Sequence, residues 1–391
     1  MPAKRIYLDY AATTPVHPDV VKAMLPYYTE YYGNPSSIYS IGQEAKEGIE
    51  FARTQVAGLI GAQPEEIVFT GSGSEADNYA FKGLAFSKET RGNHYITTRI
   101  EHHAVLEAAR FLEERGFEVT YLPVDKYGMV DPQEVKKAIR PKTVLVSVMH
   151  ANNEVGTIQP VAEIARITRE AGVLFHTDAV QTVGHLPIDV HKMGIDMLAT
   201  SAHKLYGSKG VGALYVRKGV RLESMIHGGA QEHGRRASTE NVAGIVGFGK
   251  AADIARAEMD AEGKRLTVLR DTMIKGLVGG IDDLVLNGHP TLRLPNNVSI
   301  SVEFVEGESL CLNLDLEGIC SSTGSACSSS NAEPSHVLLA LGVPPQLAHG
   351  SLRFTLGKWT QEEEIERVVA SLTNVVAKLR AMSPLLKGRK V

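Results

Sequence analysis

A chain of 391 residues exceeds one typical hydrophobic core and points to two domains. Its 43% hydrophobic and 22% charged residues are the composition of a folded globular chain, not a disordered one. A formal net charge of −4 argues against a broad nucleic-acid-binding surface, and no window reads as a membrane span.

No apolar signal core follows Lys4-Arg5, so the reading carries no targeting segment. The three cysteines, Cys311, Cys320 and Cys327, form no CxxC pair. They argue against a disulfide framework and a zinc site, and for a reducing, cytoplasmic setting.

In chain order, residues 12–39 are rich in Thr, Pro, Tyr, Gly and Asn and read as an irregular arm and loop. Residues 41–60 have helical periodicity and stop at Gly61. Strands and helices then alternate. Strands are expected at 67–69, 94–98, 117–122, 143–148, 173–176, 195–200 and 211–216, and helices at 74–86, 103–115, from Pro132, and at 161–171. This rhythm predicts an α/β fold with a mainly parallel seven-stranded sheet sandwiched by helices. A long helical stretch, 240–277, bridges to a smaller α+β C-terminal domain. That domain has alternating, half-exposed strands at 298–302 and 351–355 and helices at 308–314, 335–341 and 361–382. The division expected is an arm at 1–15, a large domain at 16–260 and a small domain at 261–391.

In a parallel sheet, ligands bind beyond the carboxyl ends of the strands. Five polar loops fall there. Thr70-Gly71-Ser72-Gly73-Ser74-Glu75 lies between a strand and a helix, where N–H groups and a hydroxyl can close on a phosphate. Glu101-His102-His103 offers an imidazole, and His150-Ala151-Asn152-Asn153-Glu154 offers amides. His176-Thr177-Asp178-Ala179-Val180-Gln181 ends a buried strand on a carboxylate. Ser201-Ala202-His203-Lys204 ends another on a lysine, which when neutral attacks an aldehyde to form a Schiff base. Read singly, each has an ordinary structural use as a turn, a helix cap or a solvated loop. Together they suit a planar ligand with a phosphate, a ring nitrogen, a phenolic oxygen and an aldehyde, which is the inventory of pyridoxal 5'-phosphate.

These motifs carry a resemblance over nearly the whole chain. With Tyr7-Leu8-Asp9-Tyr10-Ala11-Ala12-Thr13-Thr14-Pro15, Tyr32-Gly33-Asn34-Pro35-Ser36-Ser37, Gly234-Arg235-Arg236-Ala237-Ser238-Thr239-Glu240-Asn241, Ser325-Ala326-Cys327 and Glu333-Pro334-Ser335-His336, the sequence resembles cysteine desulfurases of the NifS/IscS kind. These belong to the class V aminotransferase branch of fold-type I pyridoxal-phosphate enzymes.

The resemblance implies that Lys204 anchors the cofactor and shuttles a proton. It implies that Asp178 pairs with the ring nitrogen, that His102 stacks on the ring with an acid–base role, and that Asn153 and Gln181 approach the phenolic oxygen. Gly73, Ser74, Ser201 and His203 would bind the phosphate, with Thr239 supplied by the other subunit of a homodimer. Arg353 would clamp the substrate carboxylate, with Asn153 beside it. The chain departs from the family pattern at Ser74, where threonine is common, at Ser238, where glycine is common, and at Ala230, which interrupts a glycine run.

The run 321–331, Ser-Ser-Thr-Gly-Ser-Ala-Cys-Ser-Ser-Ser-Asn, cannot bury much apolar surface and is expected to be a mobile loop with an accessible thiol. Cys311 and Cys320 lie in apolar runs and read as inert core residues. The resemblance implies that Cys327 takes sulfur from L-cysteine as a persulfide, leaving alanine. It also implies delivery to an iron–sulfur scaffold protein of the IscU/NifU kind, with a [2Fe–2S] unit transiently held by Cys327. A selenocysteine lyase or another class V aminotransferase is the neighbouring reading on the same fold.

Overall fold

A computed structural model describes residues 5–324 and 334–382. The strand β1 (Ile6–Tyr7) begins it, followed by the short helices α1 (Pro18–Met24) and α2 (Pro26–Thr29). These helices correct the expectation of an irregular 12–39. Pro18 and Pro26 read as loop residues, but a proline at the first helical position is already set to the helical φ and lacks only an N–H that would have no helical partner. The His17 ring accepts the Asp19 N–H at 3.1 Å and caps α1.

Next come α3 (Ser40–Ile60), β2 (Ile67–Thr70), α4 (Gly73–Asn78), β3 (His94–Thr98), α5 (His103–Glu113), β4 (Glu118–Leu122), α6 (Pro132–Ala138), β5 (Thr143–Ser147), α7 (Val161–Glu170), β6 (Leu174–Asp178), α8 (Val190–Met193), β7 (Met197–Ser201) and β8 (Gly212–Val216). The helix α3 stops at Gly61, whose φ of 70° is the left-handed cap that glycine adopts without a side-chain penalty. The seven strands form one sheet in the order β2-β8-β7-β6-β5-β3-β4. The pairs from β4 through β7 are parallel, whereas β8 runs antiparallel to both β7 and β2.

Alternate residues of each strand point to opposite faces. Ile96, Val146, Phe175 and Leu198 pack into one apolar layer with residues of α3, α6 and α7, while Val68, Tyr95, Leu145 and Met197 pack into the other with α4 and α5. Burial on both faces explains the continuous apolar runs in the sequence.

The 39-residue α9 (Val242–Gly280) contributes Ile245 to Ala252 to the first layer and Leu266 to Leu277 to a separate core. A Cβ at Gly249 would stand 2.6 Å from Ala52 Cα, so the close crossing of α3 and α9 requires glycine there. The second core holds β9 (Leu284–Leu286), β10 (Asn297–Val302), α10 (Gly307–Leu316), β11 (Ile319–Cys320), β12 (Ser351–Thr355) and α13 (Glu362–Met382), while α11 (His336–Ala340) and α12 (Pro345–His349) pack in a smaller cluster with Ile100, Met149 and Val155. An antiparallel sheet runs β12-β10-β9, and β1 pairs in parallel with β11. Ile6 and Leu8 join this second core although they start the chain.

The strands β10 and β12 are buried along their whole length, which corrects the half-exposed reading. Their polar face is covered and bonded: Asn287 Nδ2 donates to Ser301 Oγ at 3.0 Å, and Arg353 lies beneath residues of the N-terminal arm. Cys311 packs, partly buried, against the second core, whereas Cys320 is partly buried outside it, and burial raises both thiols above their ordinary pKa.

Candidate active site

The strands β2, β3, β5, β6 and β7 run in one direction and end at one edge, and the loops beyond them surround a cavity of about 320 Å³. From β2 come Gly73 and Ser74, from β3 His102, from β5 Asn153, from β6 Asp178 and Gln181, and from β7 Ser201, His203 and Lys204; β12 adds Arg353. A larger hollow of about 890 Å³ between α10, α12 and the end of α13 draws no residue from the large sheet's strand-end loops.

Lys204 follows β7 in a single 3-10 turn, and its Nζ donates to Ala12 O at 2.7 Å and to Ala11 O. Gln181 Nε2 donates to Ala11 O at 3.1 Å, so the arm closes one side of the cavity. His203 Nδ1 meets Thr13 Oγ1 at 3.1 Å, and burial, then Lys204, pushes this imidazole down to about 4, keeping it neutral.

Asp178 fixes the turn after β6 and lines the cavity. Its Oδ1 accepts the Val180 N–H at 2.9 Å, fixing the turn, and the carboxyl still faces the cavity. Burial raises its pKa, partly opposed by His102. His102 also lines the cavity. Its Nδ1 accepts the Ala104 N–H at 3.1 Å as the cap of α5, so the neutral ring carries its proton on Nε2. Burial lowers its pKa.

The first turn of α4 presents Gly73 and Ser74 to the cavity, and the first N–H groups of a helix have no helical acceptor. A Cβ at Gly73 would come within 2.7 Å of Val180 Cγ2, so only glycine lets this turn sit against the β6 loop. Ser72 Oγ accepts the Glu75 N–H at 3.1 Å and locks the turn.

Arg353 is 3% exposed, not a strand-edge surface residue. It donates to Asn153 O at 2.9 Å and to Asp9 Oδ1 at 2.9 Å, while its buried Nε has no hydrogen-bond partner among the described residues.

Thr239 does not reach the cavity within one chain. It lines a separate hollow with Arg236, Ser238 and Glu232. Ser238 holds φ at 96°, a conformation that favours the glycine common at this position. Cys327 lies outside the described residues. Among the described residues no group of three or more His, Cys, Asp or Glu side chains could hold a metal ion, and no helix is long and apolar enough to cross a membrane.

Sequence reasoning missed three buried acids around the site. Asp77 lines the cavity one helical turn after Ser74, with its Oδ1 3.6 Å from His176 Nε2. Glu101 Oε1 accepts from Thr98 Oγ1 at 2.8 Å and from the Met149 N–H at 3.0 Å, and burial pushes its pKa up to about 8. Glu154 accepts from Ser335 Oγ, and burial pushes it up to about 7. The signal was present for Glu101 and Glu154, each one residue from a chosen site residue. Acids there read as solvated loop charges because nothing local reports that a distant helix covers them.

The mostly parallel sheet, the lysine after β7 and the aspartate at the end of β6 define a fold-type I pyridoxal-phosphate enzyme. The chain belongs to the class V aminotransferase family, whose model, described as Aminotransferase class-V, it matches over residues 6–368. It is 55% identical over 388 residues to "Cysteine desulfurase IscS" of Dictyoglomus turgidum, covering 99% of this chain and 98% of that one. It is 56% identical over 382 residues to the protein of the same name from Methanosarcina thermophila, covering 98% and 94%. A solved structure titled "NIFS-LIKE PROTEIN" superposes with a TM-score of 0.90 at 40% identity, covering 96% of this chain and all of that one.

Proposed function

We propose that this chain is a pyridoxal-phosphate-dependent cysteine desulfurase that converts L-cysteine to L-alanine and holds the sulfur as a persulfide on Cys327. The observation that carries the reading is the convergence of Lys204, Asp178, His102 and Arg353, drawn from β3, β6, β7 and β12, on one cavity.

The donor set fits the cofactor. Asp178, whose buried carboxyl lacks full compensation, suits a protonated ring nitrogen. The α4 turn, Ser74, Ser201 and His203 suit a phosphate, and Asn153 and Gln181 a phenolic oxygen. Lys204 supplies the amine for a Schiff base. When bound, the cofactor supplies an electron sink for charge at the substrate Cα.

The chain's own residues do the rest. The Arg353 fork takes the substrate carboxylate and fixes its Cα–H towards Lys204, which removes that proton on Nζ and later returns one. His102, neutral with its proton on Nε2, has a proton it can exchange with the substrate. The Cys327 thiolate attacks the substrate sulfur, so an S–S bond forms as the substrate C–S bond breaks. The carbon side gains a proton and leaves as alanine. No outside oxidant is needed, because the carbon that loses sulfur is reduced as the sulfur is oxidised.

The same reading extends to a homodimer in which Thr239 completes the partner copy's phosphate site. Its position away from this chain's cavity supports that, as do the exposed apolar residues Leu25, Tyr28, Tyr32, Ile38, Tyr39 and Phe51. It also extends to a cytoplasmic setting and to delivery of sulfur to an iron–sulfur scaffold protein of the IscU/NifU kind, with Cys327 transiently on a [2Fe–2S] unit. The division into an arm at 1–15, a large domain at 16–260 and a small domain at 261–391 belongs to this proposal. It draws support from the two cores that α9 joins.

The test is persulfide labelling of Cys327 after addition of L-cysteine, with alanine measured in parallel and no keto acid supplied. Cys327→Ser is expected to lose the label and sulfur release while binding cofactor normally. Full sulfur release by that variant sinks the mechanism. A requirement for a keto acid identifies another class V aminotransferase, and a strong preference for selenocysteine identifies a lyase.

A further inference from the structure

The main chain around Lys204 is held by a residue with no part in the chemistry of the cavity. Thr14, in the N-terminal arm and 2% exposed, meets that chain on both sides of the lysine. Its N–H and its hydroxyl both donate to His203 O, each at 3.0 Å. The same Oγ1 accepts the Tyr206 N–H at 3.0 Å. Between those two contacts, Lys204 O meets His185 Nε2 at 3.0 Å.

Tyr206 supplies a second, independent observation. Its φ is 64°, in the left-handed region that a bulky side chain occupies only under constraint. Hydrogen bonds from several directions impose it. The N–H goes to Thr14, and the carbonyl accepts the His17 N–H at 2.9 Å. The Oη donates to Glu262 Oε1 of α9 at 2.9 Å and accepts the Lys358 N–H, just past β12, at 2.7 Å. Its ring also packs edge-on against Tyr10 and Trp359. Backbone strain fixed from this many sides is a mark of a functional constraint, and it lies two residues from Lys204.

We propose that Thr14 is a positioning residue for Lys204, its one hydroxyl setting the main chain on either flank of the lysine while Tyr206 pins the turn to α9 and to the end of β12. The proposal rests on the reading of Lys204 as the residue that bonds the cofactor. A hydroxyl is required because it donates and accepts at once. A valine of the same shape does neither and leaves the buried Tyr206 N–H without its acceptor. Lys204 Nζ itself donates to Ala11 O and Ala12 O, close before Thr14. The arm therefore contacts both the amine and the backbone that carries it. A shift of about 1 Å in that backbone is enough to cost on the order of 100-fold in a reaction of the amine.

The test compares wild type, Thr14→Val, Thr14→Ser and Tyr206→Phe as full-chain apoprotein with two probes. Pyridoxal 5'-phosphate carries the aldehyde that Lys204 attacks. Schiff-base formation is followed by stopped-flow absorbance, and borohydride trapping with mass spectrometry locates the bond. Pyridoxamine 5'-phosphate lacks the aldehyde and reports the cavity alone, with Kd read by calorimetry. Thr14→Val is expected to bind pyridoxamine 5'-phosphate within about twofold of wild type and to form the Lys204 bond at least about tenfold more slowly. Thr14→Ser, which keeps the hydroxyl, is expected to recover most of that rate. Tyr206→Phe keeps the bonds to Thr14 and loses those to Glu262 and Lys358. It is expected to slow bond formation at least about threefold, again with unchanged pyridoxamine affinity. A wild-type rate in Thr14→Val, or in Tyr206→Phe should Thr14→Val not fold, overturns the proposal. So does a rate loss matched by an equal loss of pyridoxamine affinity, which marks a purely structural residue. If wild type forms no reducible bond at Lys204, the function reading fails and takes the proposal with it, a result distinct from a wild-type bond that Thr14→Val leaves unchanged.

Discussion

Arg353 Nη2 lies 2.9 Å from Asp9 Oδ1, so residues from opposite ends of the chain meet at the cavity. The salt bridge holds the guanidinium plane while Asn153 O takes a second N–H. A planar fork fixed this way is prepared for a carboxylate, and a lysine ammonium cannot copy two parallel bonds. Arg353→Lys is expected to raise KM for L-cysteine roughly 10- to 100-fold, about 1.4–3 kcal/mol of binding, with cofactor absorbance unchanged. Steady-state kinetics on alanine release checks it; an unchanged KM removes Arg353 from the substrate site.

Glu101 sets a pH dependence of stability. Burial raises its carboxyl from the ordinary value of 4.5 to about 8, with Asp178 adding to the shift and bonds from Met149 and Thr98 opposing it. Between those values the folded chain holds a proton that the unfolded chain has lost. Its contribution is therefore fully present below about pH 4.5 and is lost as pH rises towards 8. Glu101→Gln removes this titration. Thermal unfolding of the variant is expected to be less dependent on pH in that window, and at pH 9 to exceed wild type by on the order of 2 kcal/mol. A variant that follows wild type across the window contradicts the assignment.

Arg53 and Glu232 form a buried ion pair on which several elements depend. Arg53 Nη1 and Nη2 donate to Glu232 at 2.7 and 2.9 Å, both side chains are 2% exposed, and Glu232 Oε2 also accepts the Phe69 N–H at 2.9 Å. Removing Glu232 leaves the buried Arg53 with only the exposed Glu50 as its carboxylate and the Phe69 N–H without its acceptor. Glu232→Ala is expected to cost about 3 kcal/mol, the low end for breaking a buried pair, in a denaturant titration. Because Glu232 sits in the same hollow as Thr239, the variant is also expected to weaken self-association, read by sedimentation across concentration.

The large sheet is legible in the sequence where local residues are decisive. At 94–98 and 212–216 every residue is buried, so continuous apolar or β-branched runs mark the strands without help from the rest of the chain. At β10 and β12 the same logic misled. Alternation shows which face is apolar but not whether the polar face meets water, and here Asn287, Asp9 and Asn153 bond that face. In 12–39, Pro18 and Pro26 look like loop residues in isolation, yet each starts a helix.

The chemistry-bearing residues were legible because a parallel sheet places every strand's carboxyl end at one edge, and Lys204, Asp178 and His102 each follow a recognisable strand. That much the sequence determined by itself: the fold class, the edge and the kind of cofactor its loops suit. Tertiary structure alone decided that Ala11 and Ala12 accept from Lys204, that Asp9 braces Arg353, and that Glu154 accepts from Ser335. These contacts join residues far apart in the chain. Periodicity records which face of each element is apolar; it does not encode which distant side chain comes to cover a polar one.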